Sequence, residues 1–139
     1  MIQKQFKYIY GPVYSWRLGM SLGIDPVTAK GKICNFDCVY CSVDRTVAPR
    51  VRKVDLAVLE TELRHLVETR DRLYDEPEFR DTSPEYRRLN DIAFSGNGEP
   101  TAARVFPDAA RMVAAVRRDY HLDDAKIVVI TNACYLTRP

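Results

Sequence analysis

Apolar positions along this chain fall into two patterns, short runs of strand length and longer stretches at helical spacing. Residues 21–25 (SLGID) follow a glycine- and tryptophan-bearing stretch at 10–19 and predict a short strand. Asp55 is placed as an N-cap ahead of residues 56–70, where Leu59, Leu63, Leu66 and Val67 recur on one helical face. A charged connection at 71–90, broken by Pro77 and Pro84, leads to a second strand at 91–95 (DIAFS), ended by Gly96 and Gly98. Residues 106–120 predict a second helix, with Phe106, Ala109, Ala110, Val113 and Val116 on one face. Residues 126–131 (KIVVIT) form a continuous apolar run, the pattern of a strand covered on both sides.

The order strand, helix, strand, helix, strand favours parallel pairing, because each connection carries a helix rather than a tight hairpin. All strand C-termini then point to one face, where parallel α/β proteins place their chemistry. Residues 34–41, 96–101 and 131–132 each follow a strand, so all three segments are expected on that face. A last strand without a covering helix would leave an open edge. The expectation is therefore a truncated chain, with a complete three-stranded domain as the alternative.

Composition narrows the setting. Of 139 residues, 46% are apolar and 29% charged, a balance that supports a folded core and not a disordered tail. A net charge of +2 gives no argument for DNA or an anionic membrane. No apolar run approaches bilayer length, and residues 1–10 lack a signal peptide's apolar run and cleavage site, so the expected compartment is the cytoplasm.

Three of the four cysteines crowd into Cys34, Cys38 and Cys41, spaced CxxxCxxC, and Cys134 lies far downstream. Clustered thiols in a cytosolic chain point to metal, and soft thiolates suit iron–sulfur clusters or zinc. Three ligands could hold three irons of a [4Fe–4S] cluster and leave the fourth open, as a catalytic metal requires. Other readings are small buried hydrophobes, a zinc site lacking an obvious fourth ligand, and a closed four-cysteine cluster completed by Cys134. His65 and His121 fit none of these at finger spacing and read as surface residues.

CxxxCxxC with Tyr40 before its last cysteine resembles the signature of radical S-adenosylmethionine enzymes. Residues 15–25 (SWRLGMSLGID) and 95–101 (SGNGEPT) extend that resemblance to an Fe–S oxidoreductase subgroup related to the tRNA-modifying wybutosine-synthesis enzymes. The resemblance covers essentially the whole chain. It implies a parallel-sheet α/β fold, the N-terminal half of a partial (β/α)6 TIM-like barrel with three strands present. Residues 1–139 would then be the N-terminal portion of a radical S-adenosylmethionine domain.

It implies also that Cys34, Cys38 and Cys41 ligate the cluster, and that S-adenosylmethionine binds its open iron and is reductively cleaved. The product is a 5′-deoxyadenosyl radical that abstracts hydrogen from a substrate. Tyr40 would lie against the adenine. Gly96, Asn97, Gly98, Glu99 and Pro100 would meet the methionine end, and Asn132 would face the site. These segments read equally as a loop before a helix and a turn after a strand. The implied electron donor is a reductant such as flavodoxin or ferredoxin. No catalytic side chain is assigned, and the substrate stays open among tRNA, protein and small molecule. A non-catalytic iron–sulfur electron-transfer fragment is the alternative from another class, and a zinc-stabilised binding domain is a third. Trp16 and Arg17 match the subgroup without a physical role. Arg45, Arg50, Arg52 and Lys53 suit a solvated loop or, as the alternative, an acidic redox partner or phosphate.

Overall fold

A computed structural model describes residues 6–15, 19–51 and 53–137; Trp16, Arg17 and Arg52, singled out above, lie outside the described residues. In chain order the elements are β1 (Ile9–Ser15), β2 (Gly19–Ile24), β3 (Thr28–Lys30), β4 (Arg50–Val51), α1 (Leu56–Thr69), β5 (Leu89–Phe94), α2 (Phe106–Asp119) and β6 (Lys126–Val129). Short 3-10 turns occur at Arg70–Asp75, Pro84–Tyr86 and Pro100–Ala102.

The main sheet has four strands in the order β1-β2-β5-β6. Strands β2, β5 and β6 are parallel, but β1 folds back antiparallel on β2. This corrects the expected three-stranded, all-parallel half of a (β/α)6 TIM-like barrel: the domain is a small α/β unit on a mixed sheet whose two ends are β1 and β6. Of the strands that the sequence pattern missed, β1 contains Gly11 and Pro12, and its register shifts between Tyr10 and Val13. That irregularity erases the two-residue alternation by which a strand is recognised. Among the described residues β6 is an edge strand with Ile127 and Ile130 36% and 63% exposed, the open edge expected of a last strand without a covering helix.

The helices form where their apolar periodicity and caps agree. The Asp55 carboxylate accepts the Ala57 and Val58 amides at 3.0 and 3.3 Å, satisfying two of the donors orphaned at the start of α1. Leu59, Leu63, Leu66 and Val67 of α1, with Ala109, Val113 and Val116 of α2, bury against Met20, Leu22, Ile24, Ile92 and Phe94. Phe94 and Phe106 meet edge-to-face at 5.2 Å, joining β5 to the first turn of α2.

Alternate positions on the same strands are small or polar. Ser21 donates to Asp91 Oδ1 at 2.5 Å, and the Tyr10 ring lies so close on Gly23 that a Cβ there would meet its Cζ at 2.1 Å. Among the described residues, no helix is long and apolar enough to cross a membrane.

Candidate functional site

The chain leaves β2 at Asp25, makes β3, and returns through β4. The β3–β4 ladder pairs Thr28 with Val51 and Lys30 with Arg50, closing the neck of the loop that carries Cys34, Cys38 and Cys41. Beyond that neck the loop is stitched to the segment after β5. The Ile33 amide donates to the Asn97 carbonyl at 3.1 Å, and the Ile33 carbonyl accepts the Glu99 amide at 2.8 Å. Gly98, the residue bridged to Ile33 between these bonds, has φ +154°, and a Cβ there would lie 2.0 Å from the Ile33 carbonyl oxygen. Gly96, at φ +133°, passes as closely over Asp25, where a Cβ would lie 2.4 Å from the carboxylate carbon. The glycines of GNGEP thus let two backbones and a buried carboxylate meet.

Asp25 and Glu99 hold the strand ends together from beneath. Asp25, 7% exposed, accepts the Val27 and Asn97 amides at 3.1 Å each. Glu99 is 2% exposed. Its Oε1 accepts the Thr101 amide at 3.1 Å and the hydroxyls of Thr101 and Thr131 at 2.6 Å each, while Oε2 accepts the Asn132 amide at 2.7 Å. Burial alone would push the Glu99 carboxyl up, but these donors outweigh it and hold it below the usual carboxylate range. Glu99 is therefore first a tie between the end of β5 and the end of β6.

These ties create a cleft of about 470 Å³ beyond the C-terminal ends of the parallel strands. Cys34, Cys38 and Cys41 line it with Tyr40, Gly96, Gly98, Glu99 and Asn132, so eight of the ten residues singled out from sequence come together. Asn132 donates to Asn35 Oδ1 at 2.9 Å and approaches Cys34 Sγ at 3.7 Å, which brings the third strand end onto the cysteine loop. Asn97 and Pro100 do not line this cleft. Asn97 lines an adjoining cavity of about 600 Å³ with Asp25, Tyr10 and Ser95, and Pro100 is buried at the start of a 3-10 turn. Cys134 is exposed, and its amide donates to Asn132 Oδ1 at 3.1 Å.

The cysteine loop carries positive charge on its protein side. Arg45 donates to Asp37 Oδ1 at 2.7 Å and also to the Phe36 and Cys34 carbonyls, clamping the turn between the first two cysteines. Of the basic run noted in sequence, Arg45 is built into the site, while Arg50 and Lys53 lie on the exposed surface. Lys32, missed in sequence, has a side chain only 3% exposed, lines the cleft, and sits 3.9 Å from Asp37 Oδ1. The Val43 amide, followed by the Lys32 ammonium, lowers the Cys41 thiol toward its ionised form. The Tyr40 phenol is raised, chiefly by its hydrogen bond to Cys38. A lysine between strand and motif was open to notice, but no spacing rule marks it as buried.

All four cysteines are free thiols. Among the described residues, no three Cys, His, Asp or Glu side chains converge as ligands of a single metal ion would. A [4Fe–4S] cluster takes one thiolate per iron, so its ligands stand around a cube and need not meet at a point. Three thiols on one loop around one cleft fit such a group in donor chemistry.

Comparison with known proteins gives matches over nearly the whole chain. A UPF0026 protein of Synechocystis sp. is 31% identical over 131 residues, covering 94% of this chain and 41% of that protein. A UPF0026 protein of Methanocaldococcus jannaschii is 30% identical over 129 residues, covering 93% and 34%. A protein named GTPase Obg from Brachyspira hyodysenteriae is 27% identical over 130 residues, 94% of this chain but 16% of its own length. The chain thus spans about two fifths or less of the relatives it matches. No family model and no solved structure matches it.

Proposed function

We propose that this chain is the cluster- and cofactor-binding part of a radical S-adenosylmethionine enzyme. The observation that carries the reading is the single cleft in which the CxxxCxxC thiols, Gly96, Gly98, Glu99 and Asn132 meet at the ends of parallel strands. When bound, the iron–sulfur cluster and S-adenosylmethionine supply one-electron cleavage and hydrogen-atom abstraction. Cys34, Cys38 and Cys41 would hold the cluster.

What this chain's own residues contribute is placement. Arg45 fixes the loop from Cys34 to Asp37 by bonds to two carbonyls and a carboxylate. The Ile33–Gly98 bridge sets that loop against the GNGEP segment. Glu99 Oε2 accepts one amide among the described donors, so it retains capacity for the ammonium of an amino-acid moiety. Tyr40, 87% exposed at the rim, presents an aromatic face suited to a nucleobase.

The GTPase name of the Brachyspira relative does not carry over. The match covers a small part of that protein, and this sequence contains no GxxxxGK[ST] phosphate loop. The electron-transfer alternative shares the cysteines but gives no use to a cleft beside them.

Anaerobic reconstitution should load about four irons per chain with broad visible absorbance. Reduction by dithionite with S-adenosylmethionine should then release 5′-deoxyadenosine. Replacing Cys34, Cys38 or Cys41 by Ala should abolish iron uptake, and Cys134→Ala should leave it unchanged. Stoichiometric zinc with no iron would overturn the reading. A full cluster that never cleaves the cofactor would favour electron transfer.

A further inference from the structure

We propose that Lys32 is a positioning residue of the cysteine cleft, a fixed positive charge that raises the reduction potential of a bound cluster. This rests on the reading above and extends it to a residue outside the motif.

Lys32 lies two residues before Cys34, just past the β3–β4 neck, and its side chain is 3% exposed. Removing an ammonium from water is costly unless an anion compensates it. Among the described residues its carboxylate partner is Asp37, at 3.9 Å, the outer limit of an ion pair. The same Asp37 oxygen takes the Arg45 guanidinium at 2.7 Å and is 77% exposed, so it compensates Lys32 weakly. Lys32 otherwise faces the cleft that Cys34, Cys38 and Cys41 line with it. A buried cation so placed is matched to an anion in the cleft.

A [4Fe–4S] core bearing three thiolates is net anionic, and reduction by one electron adds a further negative charge that stays on the cluster. A nearby ammonium stabilises the reduced form more than the oxidised one, and net charge together with hydrogen bonds to sulfur is what sets such potentials. The electron comes from a one-electron donor, dithionite in the test.

The test is potentiometric titration of the reconstituted 139-residue chain at fixed pH, read by electron paramagnetic resonance of the reduced cluster, with iron analysis of each sample. Lys32→Met removes the charge and keeps the volume; Lys32→Arg keeps the charge. The Met variant should shift its midpoint downward by about tenfold in the reduction equilibrium, about 59 mV for one electron, and the Arg variant should restore it. Loss of iron in Lys32→Met with retention in Lys32→Arg also supports the role. An unchanged midpoint with full iron in Lys32→Met overturns it, as does equal loss of iron in both variants. A wild-type chain that takes up no cluster overturns the proposed function itself, whereas a wild-type cluster indifferent to Lys32 overturns this inference alone.

Discussion

Gly98 and Ile33 touch through their backbones at a distance that only a glycine at position 98 allows: a Cβ there would stand 2.0 Å from the Ile33 carbonyl oxygen. The contact joins the end of β5 to the residue before Cys34, so a substitution made for the glycine reads out on the cysteine loop.

Gly98→Ala should therefore separate the two segments. The strained φ of +154° and the clash with backbone, which has no rotamer to escape into, predict a loss of about 1–3 kcal/mol. Urea unfolding would measure it, and iron uptake should fall in the same variant. A wild-type midpoint with full iron content would show that the loops tolerate separation.

Glu99→Gln tests the tie between strand ends. The glutamate carboxyl sits below its unfolded value of about 4.3 because its donors favour the charged form. Its contribution is present above that pH and is lost as pH falls through the lower, folded value. The variant should be less stable at pH 7 by about 1.5–3 kcal/mol, the worth of one hydrogen bond to a charged group. The gap should close as pH falls below the ordinary carboxylate range. A gap independent of pH would assign the effect to shape rather than charge. If Glu99 also meets the cofactor ammonium, affinity for S-adenosylmethionine should drop beyond the change in stability.

The elements that sequence located share one property, an uninterrupted apolar period. Leu59, Leu63, Leu66 and Val67 are all buried on α1, and Leu22, Ile24, Ile92 and Phe94 are fully buried on β2 and β5. Strand β1 escaped because Gly11 and Pro12 break its alternation, and β3 and β4, at three and two residues, are too short to carry a period. The apolar run of β6 read as doubly covered because hydrophobicity records a preference for burial, not the presence of a neighbour. At the site, the cysteine spacing was legible, but the bonds that make Glu99 a tie and Gly98 a contact join residues more than thirty positions apart, and no local pattern carries them.

Arg45→Ala should separate local from global stability. Its side chain is 39% exposed, and its ion pair with Asp37 is a surface pair, worth about 0–1 kcal/mol. Its bonds to the Cys34 and Phe36 carbonyls nevertheless restrain the turn that sets the first two thiols. Hydrogen exchange should quicken over residues 34–37 while the urea midpoint barely moves. Equal acceleration in α1 would mean that Arg45 supports the whole fold.

The edge of the sheet at β6 favours self-association. Among the described residues β6 pairs with β5 alone, and Ile127 on it is 36% exposed, with Ile130 and Leu136, at 63% and 57%, beyond its end. An exposed strand edge offers unpaired amides and carbonyls to any other strand, and apolar side chains strengthen such pairing. Only Lys126, at the start of β6, brings the charge by which edges are usually protected. The 139-residue chain should therefore self-associate as its concentration rises, which sedimentation velocity would show as a growing weight-average coefficient. Ile127→Lys places a charge on the edge strand itself, so it should shift the chain toward monomer with little change in unfolding midpoint. A wild-type chain that stays monomeric at every concentration would show that the edge is protected by its twist and by Lys126 alone.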